Sequence, residues 1–391
     1  MVTKSIALNL DEKLWVLRSF RFIESLKNLD FISALQTVHP GITVMTISGI
    51  FVYLTHNLYS DLVFYDSYKA DIYSTAFNIP IIISIIIFYF LLYFVLRKLN
   101  FNRTITFFVL MIYSVNTAYI YNSTPVDKLS AMSLVLSLLF LIIYVNKKYE
   151  INKYLLLSSF FAAFGVLTKF SVLILVPFSF FILIYYSSLC PTKYIGAIKK
   201  YILYIIYFIF SIIIIFPGFL FFPTESINKI RNTGNSVLVA GFNEPEVTYS
   251  YVEKIITYSK FFLNSWTNPL VFGLIIIFFI LFFLRLAKKE IVKDNIFNNL
   301  YYKNIYTLLL FCVIYFFYVP LFTNFIYYRY MMPIFLILDI MAAVALYYVI
   351  LICNKKFLKS RSIKGLTLAT LVIFYLFQFI YQYSIYIHIK N

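Results

Sequence analysis

A few ionisable side chains stand where they could do chemistry: Asp11-Glu12, His39, Asp127, Lys169 and Arg329. Asp11 and Glu12 form a vicinal acidic pair at the start of Leu10–Gly41, LDEKLWVLRSFRFIESLKNLDFISALQTVHPG, which ends in His39-Pro40-Gly41. A carboxylate there could take the proton of an attacking hydroxyl, or help hold a divalent cation; alone, it would read as a solvated pair beside a helix over 13–27. Asp127 follows Pro125 in YNSTPVDKLSAMS, where it either starts a helix or joins Asp11 in a polar site. Lys169 lies between two apolar runs in FAAFGVLTKFSVLILVP, in a turn too short to carry it far from them. A lysine at that depth either snorkels toward water or pairs an anion, above all a phosphate or pyrophosphate. Arg329 sits in TNFIYYRYMMP among Tyr327, Tyr328 and Tyr330. His39 before a helix-starting turn is either a hydrogen-bonded structural residue or a ligand. No H-E-x-x-H, nucleophile elbow, Walker motif or dinucleotide fingerprint is present.

The elements that must position these residues are membrane helices. Of 391 residues 62% are hydrophobic and 13% charged, well outside the balance of a soluble domain. A bilayer core of roughly 30 Å takes about 20 apolar residues per helix. The sequence supplies ten runs of about that kind: Asn78–Leu96, Thr104–Tyr121, Leu129–Val145, Tyr154–Lys169, Phe170–Tyr186, Tyr201–Phe222, Pro269–Leu286, Ile305–Phe322, Met332–Ile352 and Gly365–Ile387. Continuous runs exclude a barrel, whose strands alternate. The fold class is therefore an all-α polytopic membrane protein of about ten transmembrane helices plus extracytoplasmic juxtamembrane helices. Cys190, Cys312 and Cys353 have no paired spacing, so neither a disulfide framework nor a zinc site is implied. The formal charge of +17 is dispersed over loops and does not point to nucleic acid.

Loop charge sets the orientation. Arg97, Lys98 and Arg103; Lys147, Lys148 and Lys153; Lys193, Lys199 and Lys200; Arg285, Lys288, Lys289, Lys293 and Lys303; and Lys355, Lys356, Lys359, Arg361 and Lys364 fill alternate connections, 19 of the 33 basic residues. The positive-inside rule assigns these loops to the cytoplasm. Asp11, Asp127, Lys169 and Arg329 then share the opposite face. An arginine on that less basic face is not explained by orientation, and Asp339, inside the following span, is either a packing partner or part of a polar cavity. Residues 1–77 read as a first extracytoplasmic loop with the acidic motif and interfacial or re-entrant helices, Ile42–Leu54 among them. Residues 78–222 form a first set of transmembrane helices, 223–268 an extracytoplasmic loop with a juxtamembrane helix over Tyr249–Leu263, and 269–391 the C-terminal helices. An extracytoplasmic start needs a preceding helix or signal peptide, and Met1–Leu10 contains neither, so the chain is expected to lack a first transmembrane helix.

In order, these elements resemble the C-type (GT-C) polyprenyl-phosphate-dependent glycosyltransferases, especially the protein O-mannosyltransferase-like and aminoarabinose-transferase-like members. The matching parts are the acidic pair followed by W-x-x-R-S-x-x-F and HPG, then Asp127, the G-x-L-T-K of Gly165–Lys169, and the R-Y-x-x-P of Arg329–Pro333. The resemblance implies inverting transfer of a sugar from an undecaprenyl- or dolichyl-phosphate donor to an extracytoplasmic protein, lipid or glycan, by a multi-pass protein of the plasma membrane. It implies that Asp11 is the general base and that Glu12 supports it. Lys169 and Arg329 would neutralise the departing phosphate, with Asp127, His39 and Tyr330 in the substrate pocket. A divalent cation on Asp11 and Asp127 is a further expectation, since metal dependence varies in the family. The competing readings are a transporter or flippase of lipid-linked sugars, which nine glycines and no internal repeat do little to support, and a polysaccharide polymerase or ligase, which would not need Asp11-Glu12.

Overall fold

The computed structural model describes residues 10–35, 41–58, 67–114, 124–229, 250–265, 269–287, 299–322 and 328–357. Among these the backbone is helical almost throughout and contains no strand, as continuous apolar runs require: in hydrocarbon a peptide group must find its partner within its own helix. Five described helices are long and apolar enough to cross a membrane: Ile72–Lys98, Val126–Asn146, Lys193–Ile215, Lys303–Leu321 and Met332–Ile350. Shorter apolar helices accompany them at Ile42–Leu58, Arg103–Ser114, Phe170–Tyr185 and Val271–Leu281. The chain is an all-α polytopic membrane protein.

The helices are α1 Leu10–Lys27, α2 Phe31–Ala34, α3 Ile42–Leu58, α4 Ser67–Lys98, α5 Arg103–Ser114, α6 Pro125–Asn146, α7 Asn152–Thr168, α8 Leu175–Tyr185, α9 Lys193–Ile215, α10 Gly218–Phe221, α11 Tyr251–Ser265, α12 Pro269–Ala287, α13 Asn299–Phe322 and α14 Met332–Phe357. They fall into two compact units. The first holds residues Met1–Leu91 and Thr124–Thr248, the second Leu92–Ser123 and Tyr249–Asn391.

In the first unit α6 is the central helix, with 94% of its span buried. It packs on α7 through small residues: the Ser137 and Ser158 hydroxyls each donate to the other's carbonyl, at 2.7 and 2.8 Å, and Ala162, Ala163 and Gly165 are buried on α7. Small side chains let two backbones approach where hydrocarbon offers no hydrophobic drive. Helix α9 lies outermost, only 17% buried, and turns Ile202, Ile206, Ile209, Phe210 and Ile214 outward. It begins eight residues before the apolar run at Tyr201 and ends at Ile215, because Phe216 is extended ahead of Pro217. Helix α4 likewise starts at Ser67 instead of Asn78. Helices α1 and α3 pack on each other so closely that a Cβ on Gly49 would lie 2.7 Å from the Ser19 carbonyl oxygen.

In the second unit α14 is central, 83% of its span buried, and packs against α5, α12 and α13. Asp339 lies fully buried within it. The helix expected over Tyr249–Leu263 forms as α11. The expected span Gly365–Ile387 lies outside the described residues.

Candidate functional site

Helix α6 begins as its sequence directs. Pro125 occupies the first turn, where its missing N–H is no loss. The Thr124 hydroxyl accepts from the Asp127 N–H at 3.3 Å, while Asp127 Oδ2 accepts from the Thr124 N–H at 3.1 Å and the Thr124 hydroxyl at 2.6 Å. This is a reciprocal capping box, with the carboxylate at the end of the helix where the macrodipole favours negative charge.

The other carboxylate oxygen has a different task. Asp127 Oδ1 receives Lys169 Nζ at 2.5 Å, with the two side chains 3% and 6% exposed. The helix-start reading of Asp127 holds for one oxygen, and the other is engaged by Lys169. Of the two sequence readings of Lys169, snorkelling does not occur: the ammonium is buried and its anion is the Asp127 carboxylate.

Lys169 reaches Asp127 because α7 stops one residue before it. Lys169 is extended at φ −156° and ψ 130°, and its N–H donates to the Gly165 carbonyl at 2.7 Å. The glycine is required for the approach of α7 to its neighbours. A Cβ on Gly165 would lie 2.7 Å from Val172 Cγ1 and 3.2 Å from Ser133 Cβ. The C-terminal carbonyl this break exposes on Thr168 accepts the Gly41 N–H at 3.2 Å. Gly41 holds φ at 54°, a conformation that suits glycine. The hydroxyls of Thr43 and Thr168, both buried, hydrogen-bond to each other. The start of α3 thus caps the end of α7 immediately beside the ion pair.

An apolar cluster closes around this point. Val126, Leu129 and Leu167 flank the two charges, and share one core with Trp15 and Val16 of α1 and with Ile42, Val44 and Met45 of α3. Asp11 and Glu12 lie in the first turn of α1, one turn ahead of Trp15. That helix begins at Leu10, earlier than the expected 13; the acidic side chains lie outside the described residues, as does His39. Upstream of His39, α2 is capped by Asp30, which accepts from the Ser33 N–H at 3.0 Å. The Ser33 hydroxyl, with this N–H, holds the exposed Asp30 carboxyl below its ordinary range.

The remaining candidates belong to the second unit. Arg329 sits on a 3₁₀ turn, Tyr328–Met331, with its side chain outside the described residues. Tyr330 is buried, and its carbonyl accepts the Tyr315 hydroxyl at 3.1 Å, which ties the turn to α13. As a metal ligand Asp127 is poorly suited: Lys169 and Thr124 already engage its two oxygens, so a cation would compete with an ammonium. Among the described residues no three His, Cys, Asp or Glu side chains gather as a metal site would need.

Sequence reasoning missed Thr43, Thr124 and Thr168. The T-x-x-D spacing of Thr124 and Asp127 was a usable capping signal; nothing local marks Thr43, whose partner lies 125 residues away.

No curated protein sequence matches the chain significantly. Residues 71–220 match the family described as dolichyl-phosphate-mannose-protein mannosyltransferase. That segment contains Asp127, Gly165 and Lys169 but neither Asp11, Glu12 and His39 nor Arg329 and Tyr330. Over residues 71–220, carried on apolar helices, the chain is similar to membrane glycosyltransferases of the C type.

Proposed function

We propose that the protein transfers a sugar from a polyprenyl-phosphate donor to an acceptor at the extracytoplasmic face of the plasma membrane, with inversion at the anomeric carbon. The observation that carries this reading is the buried Lys169–Asp127 pair inside the matched segment. Charges taken out of water are costly, and in a membrane chain they are retained mostly where they act. In this reading Asp127 positions the ammonium, and Lys169 meets the phosphate that departs with the isoprenoid chain. An ammonium carries three donors, so it can serve a carboxylate and a phosphate oxygen together. His39 lies in the same unit and joins the pocket in this reading.

Asp11 acts as the general base. As the acceptor hydroxyl oxygen attacks the anomeric carbon, its proton passes to the Asp11 carboxylate. The bond from that carbon to the phosphate oxygen breaks, and the pair of electrons leaves with the polyprenyl phosphate. Glu12 supports Asp11 by orienting it. A divalent cation, if required, would be held by Asp11 and would assist the same charge development.

The test is consumption of a panel of polyprenyl-phosphate sugars by the purified chain in lipid, native against Asp11→Asn. Turnover lost in the variant with donor binding retained supports the assignment. Equal turnover removes Asp11 from the role, and a native chain that neither binds nor consumes any donor overturns the function.

A further inference from the structure

Along helix α6 Asp127 and Asn146 lie about 28 Å apart at 1.5 Å per residue. At the end far from the ion pair, two turns distant in sequence come together. The first follows α6 and carries Lys147 and Lys148, with Lys153 at the start of α7. The second opens α9 with Lys193, Lys199 and Lys200. Lys200 Nζ donates to Asn152 Oδ1 at 3.2 Å, which joins them directly. The Tyr149 hydroxyl donates to the Leu183 carbonyl at 2.7 Å and pins the first turn to the end of α8. Glu150 is the one acidic residue in 147–153 and 193–200.

Three further features mark this end. Lys148, Tyr149 and Lys193 hold φ at 52°, 65° and 49°, three of the five non-glycine residues with positive φ among those described. L side chains disfavour that conformation, and it persists where the surroundings impose it. Lys147, Lys148, Lys153, Lys193 and Lys199 are exposed. Between the lysines of α9, Tyr194 and Ile195 are 63% and 69% exposed, and Ile198 continues the strip into the outward isoleucines of α9.

We propose that this end of the first unit is a binding surface for anionic phospholipid headgroups. The lysines meet the phosphate and any further negative charge of the headgroup, while Tyr194, Ile195 and Ile198 meet the glycerol and the upper acyl chain. A soluble polyanion would satisfy the charges but make no use of the apolar strip beside them. A zwitterionic lipid would cover the strip without matching six cations. The surface is separate from the sugar-transfer site and stands whether or not that reaction is as proposed.

The probe is phosphatidylglycerol against phosphatidylcholine, titrated onto the purified full chain in detergent micelles, with bound lipid counted by native mass spectrometry. Each lysine near an anionic surface contributes about a fivefold factor, so the native chain should prefer phosphatidylglycerol by at least about tenfold. A variant carrying Lys147→Gln, Lys148→Gln, Lys193→Gln, Lys199→Gln and Lys200→Gln should lose that preference. Lys27→Gln with Lys229→Gln, at the opposite end of the same unit, should keep it. Should the five-fold variant unfold, Lys147→Gln with Lys193→Gln should show an intermediate loss. A preference retained in the lysine variants, lost equally in the control, or absent from the native chain would overturn the proposal. So would competition by free glycerol phosphate as strong as by the lipid, which would reassign the surface to a soluble anion.

Discussion

Breaking the Lys169–Asp127 pair from either side should be far more damaging than removing it whole. At 2.5 Å the gross attraction is about 7 kcal/mol at an effective dielectric of about 20, and desolvation of two buried charges offsets most of it. Asp127→Asn takes the carboxylate away from an ammonium on a residue only 4% exposed, which should cost about 3–5 kcal/mol. Lys169→Met leaves the carboxylate with its capping bonds to Thr124, so its cost should fall at the lower end, about 3 kcal/mol. The double variant removes both charges of the pair together and loses mainly the quality of the cap, about 1 kcal/mol. A double-mutant cycle should therefore give a coupling of several kcal/mol, with the double variant more stable than either single one. Unfolding midpoints in detergent, with donor turnover on the same samples, provide the measurement. The double variant should regain stability without regaining turnover, because the cation proposed for the leaving phosphate is gone. Singles within about 0.5 kcal/mol of native would refute the buried-pair argument, and a stable double variant with native turnover would remove Lys169 from the chemistry.

Thr43→Val deletes the hydroxyl bonded to Thr168 next to the ion pair; a loss of about 1 kcal/mol is expected, together with a drop in kcat that Thr43→Ser restores. Unchanged kcat in the valine variant would make the contact structural only. Gly49→Ala places a methyl 2.7 Å from the Ser19 carbonyl and should destabilise the packing of α1 on α3 by about 1–3 kcal/mol, seen as a lower unfolding midpoint. A neutral result would mean that the two helices separate at no cost.

How much of this could be read beforehand depends on the range of the forces involved. Helices α5 to α9 and α12 to α14 follow from apolar runs, since a backbone in hydrocarbon must bond to itself. The runs misjudged where helices start. Ser67 and Lys193 extend α4 and α9 through polar turns, because a helix continues past its apolar stretch until something breaks it, as Pro217 does for α9. The break at Lys169 was legible as a lysine between two runs, though its extended backbone was not.

The sequence by itself determined that this is a helical membrane protein, that Asp127 stands just after a proline where a helix can start, and that Lys169 is an ionisable group set among apolar residues. Those outcomes rest on local spacing and on the bilayer as solvent. Only the tertiary structure decided that Lys169 reaches Asp127 across 42 residues, that Gly41 and Thr43 close onto Thr168, and that two lysine turns meet at the far end of α6. The reason is register: Ser137, Ser158 and Gly165 announce that helices can approach, but which faces meet is fixed by packing, and a shift of one residue would carry Lys169 away from its partner.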